Sequence, residues 1–237
     1  MIDIHCHVLP GIDDGSRNVE MSLKMLRESG KQGVTWMCFT PHFYADMTDP
    51  DHFLKRRDEA AILLQQHMEQ AGEPFPRFVL GSEVHYYRGI GKSEDIRKLC
   101  IGRSNYFLLE PPFRTWSTTF LEDVRTLRDE LDVKVIIAHI ERYFDQDKHL
   151  VQSLLDEPGI YMQTNGESLL DRKTRKKVIN LIKDGKIQFL GSDCHNMEYR
   201  TPNLEEAGWV IEEKLGPIVL ERIENNSEAL IKEAAQL

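Results

Sequence analysis

Two hydrophobic periods alternate along this chain. Short apolar runs read as buried strands: "MIDIHC" at 1–6, "VTWMCFTP" at 34–41, "RFVLGSEVHY" at 77–86, "NYFLLEPPF" at 105–113, "DVKVIIAHIER" at 132–142, "IYMQTN" at 160–165 and "IQFLGSDCHN" at 187–196. Between them, apolar residues recur three and four apart, which is helical spacing. The helical stretches are 16–33, 50–72, 92–100, 117–131, 147–159, 168–185, 203–216 and the segment after Pro217. Ser16 reads as an N-cap of the first helix and Gly33 as its end, Pro41 as a strand stop, and Gly72 as the end of the second helix.

Seven strands alternating with helices predict an α/β protein with a parallel sheet covered by helices. No linker, repeat or low-complexity stretch divides the chain, so residues 1–237 read as a single domain. Alternation of this length fits a doubly wound sheet or a barrel, and the pattern alone does not separate them.

Composition adds exclusions. Hydrophobic residues make up 41% and charged residues 29%, as in ordinary globular proteins. A net charge of −9 argues against a general nucleic-acid or membrane-surface binder. No signal-like leader and no run long enough to span a membrane is apparent, so a soluble cytoplasmic protein without membrane insertion is expected. Cys6, Cys38, Cys100 and Cys194 show no paired spacing and read as reduced, mostly buried thiols.

The chemistry collects at the carboxyl ends of the strands, where both architectures place their sites. In chain order these ends carry His5, His7 and Asp14; His42; Glu83; Glu110; His139 and Arg142; Thr164 and Asn165; then Asp193, His195 and Arg200. His5 and His7 have strand spacing and share one face, and Asp193 and His195 repeat it. Imidazoles and carboxylates without an obligate thiolate suit Zn²⁺, Mn²⁺ or iron. Nine candidate ligands exceed the roughly four to six positions of one ion, so two or three ions are expected. Unpaired buried groups of this kind would be costly without a cation. Arg142 and Arg200 add bidentate donors for a phosphate.

Other residues take blander readings. His52, His67, His85 and His149 are assigned structural roles, and Asp13 is a turn residue beside Asp14-Gly15. Cys6 points away from the histidine face into the core. "CHNMEYR" from Cys194 to Arg200 has the C-x5-R spacing of cysteine-dependent tyrosine phosphatases. Its intervening residues include no glycine and do include Glu198, which disfavours a phosphate cradle. In "YYRGIG" at 86–91 the tyrosines read as packing and the glycines as mobility.

The motifs "HCH", "TPHF", "GSEV", "AHIER" and "GSDCHN" resemble, in order, those of the PHP (polymerase and histidinol phosphatase) metal-dependent phosphoesterases. "MIDIHCHVLPGIDDGS", "LLEPPF" and "SDCHNMEYR" resemble the bacterial capsule- and exopolysaccharide-type protein-tyrosine phosphatases within that family, and the likeness spans nearly the whole chain. The resemblance implies a distorted seven-stranded (β/α)7 barrel, the PHP fold, holding three divalent ions, often Mn²⁺, with Fe or Zn as alternatives. It implies one ion on His5, His7, Glu83 and Asp193, a second on Glu83, Glu110 and His139, and a third on Asp14, His42 and His195. Arg142 and Arg200 match the phosphate-binding arginines. Where the family reads E-F-P-F and H-P-E-R, this chain has "EPPF" and "HIER", which alters the rim and spares the ligands. Cys194 stands where a small residue is usual.

The implied reaction is hydrolysis of phosphotyrosine on a protein, as on a bacterial tyrosine kinase in capsule regulation, by a metal-bound hydroxide attacking in line. Arg142 and Arg200 would stabilise the equatorial oxygens, and Asp14 or His42 would supply any proton needed. A histidinol-phosphate or other small-molecule phosphatase is the alternative. An amidohydrolase would expect a strand-end lysine that is missing after strand four, and a non-catalytic module is at odds with so complete a ligand set.

Overall fold

A computed structural model describes residues 1–93 and 95–237. Its strands are β1 (Ile2–Cys6), β2 (Trp36–Phe39), β3 (His42–Phe43), β4 (Arg77–Leu80), β5 (Glu83–His85), β6 (Tyr106–Glu110), β7 (Lys134–Ile137), β8 (Tyr161–Asn165) and β9 (Phe189–Gly191). The helices are α1 (Val19–Lys31), α2 (Pro50–Ala71), α3 (Thr118–Leu131), α4 (Lys148–Leu155), α5 (Gly166–Leu170), α6 (Arg175–Lys183), α7 (Leu204–Leu215) and α8 (Pro217–Ala235).

Every strand pairing is parallel, in the orders β1-β2-β4 and β3-β5-β6-β7-β8-β9. The sheet is curled, and its first and last strands meet. Cys6 bridges Cys194, His7 N donates to Cys194 O (2.9 Å), and Asp193 N donates to His5 O (2.8 Å).

Two predicted strands are broken. Pro41 has no N–H for the ladder, so β2 stops at Phe39 and β3 resumes at His42. Gly81 and Ser82 separate β4 from β5; a Cβ on Gly81 would lie 3.0 Å from Ile101 and 3.2 Å from Thr40. Each break re-aims the chain just before a candidate ligand, His42 or Glu83.

Helix ends also differ from expectation. Asn18, not Ser16, caps α1: its side chain accepts from Met21 N at 2.9 Å, while the Ser16 hydroxyl donates to Asn18 O. The helix expected over 168–185 is α5 and α6, split at Asp171. There the Asp171 carboxylate accepts from Lys173 N, and the Thr174 hydroxyl donates to Ser168 O at 2.7 Å. Such local bonds offer the backbone an alternative to the helix. The helix expected over 92–100 is replaced by 3-10 turns at Ile90–Lys92 and Ile96–Leu99, and Glu94 lies outside the described residues.

The larger apolar cluster lies between sheet and helices, with Phe39, Phe107, Val135 and Ile137 among its fully buried members. A second cluster joins Ile2, Ile4, Cys38, Leu108, Ile136 and Phe189 to Leu230, Ile231 and Ala234 of α8. Helix α8 therefore seals the start of β1, where the Met1 amine lies 3.8 Å from Glu224, and leaves the histidine end open. Leu230 is fully buried in this seal. Leu230→Ala is expected to lower the unfolding free energy by about 2–5 kcal/mol in urea titration, through lost burial and the cavity left behind.

Candidate metal centre

The nine predicted ligands converge at the carboxyl ends of the strands. His5 lies in β1 with His7 just after it, Glu83 opens β5, Glu110 closes β6, His139 follows β7, and Asp193 and His195 follow β9. All seven are buried, while His42 is half-buried and Asp14 exposed. Ligand-type atoms gather within 4.8 Å of one another in three groups: His5, His7, Glu83 and Asp193; His7, Asp14, His42 and His195; and His42, Glu83 and Glu110. His139 joins the third group through Nε2, 2.7 Å from Glu83 Oε1 and 3.5 Å from Glu110 Oε1.

Glu83 stands at the crossing. Its Oε2 lies 3.1 Å from His5 Nε2, 3.2 Å from His7 Nε2 and 3.0 Å from His42 Nδ1, yet none of these is aligned as a hydrogen bond. Buried and without a hydrogen-bond partner are also His42 Nδ1, Asp193 Oδ1 and His195 Nε2. These atoms point at shared space rather than at each other, and His5 Nε2 faces His7 Nε2 at 3.2 Å. Buried polar atoms without partners are costly, and cations in that space would satisfy them. The donor set fits divalent ions.

The outer nitrogens and oxygens hold this aim. His7 Nδ1 donates to Asp13 at 2.7 Å, which turns its Nε2 lone pair inward, and His42 N donates to the same Asp13 oxygen at 3.0 Å. His5 Nδ1 is 3.2 Å from Gln163 Oε1, and that oxygen also accepts from His139 N at 2.7 Å. Asp193 divides its labour. Its Oδ2 accepts from Arg142 (2.5 Å), Arg200 (2.7 Å) and Asn165 (2.8 Å), while Oδ1 faces the histidines. Both predicted arginines therefore reach the centre. His139 and Asp193 sit at positive φ, 32° and 51°, a strained backbone for non-glycine residues. Gly15 permits the loop to close, since a Cβ there would lie 2.3 Å from His7 O.

One reading of the sequence changes. Asp13 is no mere turn residue: besides accepting from Gly15 N, it orients His7 and His42. His85, assigned a structural role, places Nδ1 2.9 Å from Glu110 Oε2. The doubled acid "DD" was a signal for Asp13, but nothing in the local pattern singles out Gln163. His52, His67 and His149 lie on α2 and α4, outside the cluster. Cys194 is fully buried in the large apolar cluster, which removes the thiolate nucleophile that the C-x5-R spacing suggested.

The charges are tightly coupled. Burial opposes charge at His139, but Glu110 and Glu83 outweigh it and lift the imidazole to about 9. Burial likewise disfavours ionisation of Glu83, yet His5 and His42 hold its carboxyl well below the usual range. The His195 contact, against a smaller desolvation, keeps Asp14 near 2.

The sequence profile described as "Capsular polysaccharide synthesis, CpsB/CapC" matches residues 1–232, and the chain belongs to that family. It is 28% identical to the tyrosine-protein phosphatase YwqE of Bacillus subtilis, over 98% of this chain and 92% of that protein. It is 28% identical to the tyrosine-protein phosphatase CpsB of Streptococcus pneumoniae, over 91% of each. Among solved structures, the work on YwqE from Bacillus subtilis and CpsB from Streptococcus pneumoniae, presented as unique metal-dependent tyrosine phosphatases, includes a chain similar to this one with a TM-score of 0.85 and 27% identity. That match covers 98% of this chain and 95% of the other.

Two outcomes are expected. Ligand histidines must shed protons to bind cations, so apparent metal affinity should rise with pH until His139 is deprotonated near 9, as read by chelator competition. Asp13→Ala should weaken metal binding about 10–100-fold by releasing His7, although Asp13 belongs to none of the three ligand groups.

Proposed function

We propose that this CpsB/CapC-family chain is a metal-dependent protein-tyrosine phosphatase that hydrolyses phosphotyrosine in capsule or exopolysaccharide regulation. The observation that carries the reading is Glu83, buried and shared by two of the three ligand groups, with two arginines bound to the neighbouring Asp193. Its physiological substrate would be a bacterial tyrosine kinase.

Three cations are proposed. The first falls to His5, His7, Glu83 and Asp193, the second to Glu83, Glu110 and His139, and the third to Asp14, His42 and His195. The observed groupings support this partition and add His7 to the third set and His42 to the second. Mn²⁺ is the proposed metal, with Fe or Zn accepted by the same donors. When bound, such ions polarise phosphate oxygens and make water acidic enough to act as a nucleophile near neutral pH.

The chain's own groups do the rest. Arg142 and Arg200 are oriented by Asp193 Oδ2 and keep further N–H donors for the peripheral phosphate oxygens, where charge is stabilised during in-line transfer. Asp13 and Gln163 hold the histidines in the tautomers that keep Nε2 free. Asp14 is ionised at neutral pH and acts as a carboxylate ligand. A phenol, with a pKa of about 10, leaves with little proton donation, so His42 is needed at most as a weak acid.

The same reading treats residues 1–237 as one cytoplasmic domain with a distorted seven-stranded barrel. Counting β2 with β3 and β4 with β5 leaves seven strands, and the Cys6–Cys194 bridge joins the first to the last. All four cysteines are free and buried, and among the described residues no helix is long and apolar enough to cross a membrane.

The test pairs metal analysis with turnover of a phosphotyrosine peptide, a phosphoserine peptide and histidinol phosphate. Preference for the phosphotyrosine peptide is expected; preference for histidinol phosphate would move the chain to the small-molecule phosphatases. Chelation and His5→Ala should each abolish activity, and Cys194→Ser should leave most of it. The reverse pattern would overturn the metal mechanism.

A further inference from the structure

The segment Tyr86–Gly91 packs against α3. Tyr86 packs edge-on against Phe120 and donates its hydroxyl to Asp123 at 2.7 Å. Gly89, at φ 82°, donates its N–H to the same carboxylate at 3.0 Å. Gly91 abuts α3 so closely that a Cβ would lie 2.7 Å from Thr126. One residue in this stretch has no packing role: Arg88 is exposed.

Opposite it runs the loop after Glu110, which carries exposed Arg114. The two arginines face a cleft of 240 Å³, lined also by Tyr86, Pro112, Thr115 and Ser117. Among the described residues neither guanidinium forms an ion pair or a side-chain hydrogen bond, although the chain carries nine more negative than positive charges. Asp123 forms no ion pair with either; its carboxylate accepts from Tyr86 and Gly89. The Ser117 hydroxyl makes no capping bond to α3.

The cleft adjoins the metal centre through two short arms. Arg88 is three residues beyond His85, and Arg114 four beyond Glu110; His85 Nδ1 and Glu110 Oε2 are 2.9 Å apart. At roughly 3.5 Å of reach per residue, each arginine's backbone lies within about 10–14 Å of that contact. Phe113 forms the ledge between, its ring 5.3 Å from His85 and 64% exposed.

We propose that Arg88 and Arg114 form a second anion subsite, which selects phosphotyrosine peptides carrying another acidic side chain about two to four residues from the phosphotyrosine. The inference rests on the phosphatase reading above and deepens it. Its ligand is an oxyanion with two or more acceptor oxygens, a carboxylate or a second phosphate monoester, matched to guanidinium forks on a preorganised loop. These arginines touch the flanking group and not the reacting phosphate.

The experiment uses the Mn²⁺-loaded protein and three phosphotyrosine peptides that differ only in their flanks: alanine, glutamate or phosphoserine. Turnover and anisotropy of the labelled peptides are both read. Expected is a kcat/KM about five- to thirty-fold higher for an anionic flank than for alanine, shrinking at high salt. The glutamate and phosphoserine arms identify which anion is preferred. The ratio should fall to about one in the Arg88→Ala/Arg114→Ala double variant, and Arg88→Glu/Arg114→Glu should instead favour a lysine flank. Hydrolysis without an anion preference in the wild type, or a preference that survives the double alanine variant, overturns the subsite. Anion-dependent binding without hydrolysis of any peptide would overturn the phosphatase reading and leave the subsite standing.

Discussion

A fully buried carboxylate governs this molecule. Glu83 is fully buried, and its Oε2 has three imidazole nitrogens around it but no hydrogen bond. An isolated charge in such a place is disfavoured by several kcal/mol or more. The fold answers by bringing imidazoles from many directions: His5 and His7 from the first strand, His42 from beyond a broken second strand, and His139 from a strained turn. The positive φ of His139 and Asp193 belongs to the same economy, since local strain is tolerated where surrounding contacts hold a side chain on a common point.

Asp193 shows how such a centre binds its surroundings to itself. One oxygen faces the histidines while the other accepts from two arginines and an asparagine. On the proposed function, a phosphate arriving there would meet guanidiniums already oriented by a fixed carboxylate. Binding therefore need not first order two long side chains, whose immobilisation would otherwise weaken it.

Much of this was legible in the sequence because apolar runs mark buried strands and their ends are where side chains of several strands can meet. His5, Glu83, Glu110, His139 and Asp193 were found in that way. What the pattern hid was interruption and support. Pro41 and Gly81 break strands that read as continuous, since the apolar character persists across each break. Asp171 splits a helix whose periodicity runs through it, because a side-chain bond to the backbone leaves no trace in hydrophobicity. Asp13 and His85 act on ligands by hydrogen bonds across the fold, and Gln163 joins His5 to His139 from the middle of a strand. Such partners are set by three-dimensional proximity, which one-dimensional spacing does not record.

The seam at Cys6 and Cys194 has a temporal meaning. The group that includes His5 and His7 is completed by Asp193 from the far end of the sequence, where His7 N and Asp193 N also tie the two strands together. A ribosome delivers residues in order, at about 5–20 per second. The first histidines thus wait roughly ten seconds or more for their last carboxylate. Until β9 docks, Glu83 and its imidazoles lack a wall, and helices α7 and α8 are still to come. Assembly of the centre is a closing event of folding, dominated by contacts of long sequence separation, which form slowly. Ions that fit it would have no finished site until the chain through His195 has been made and docked.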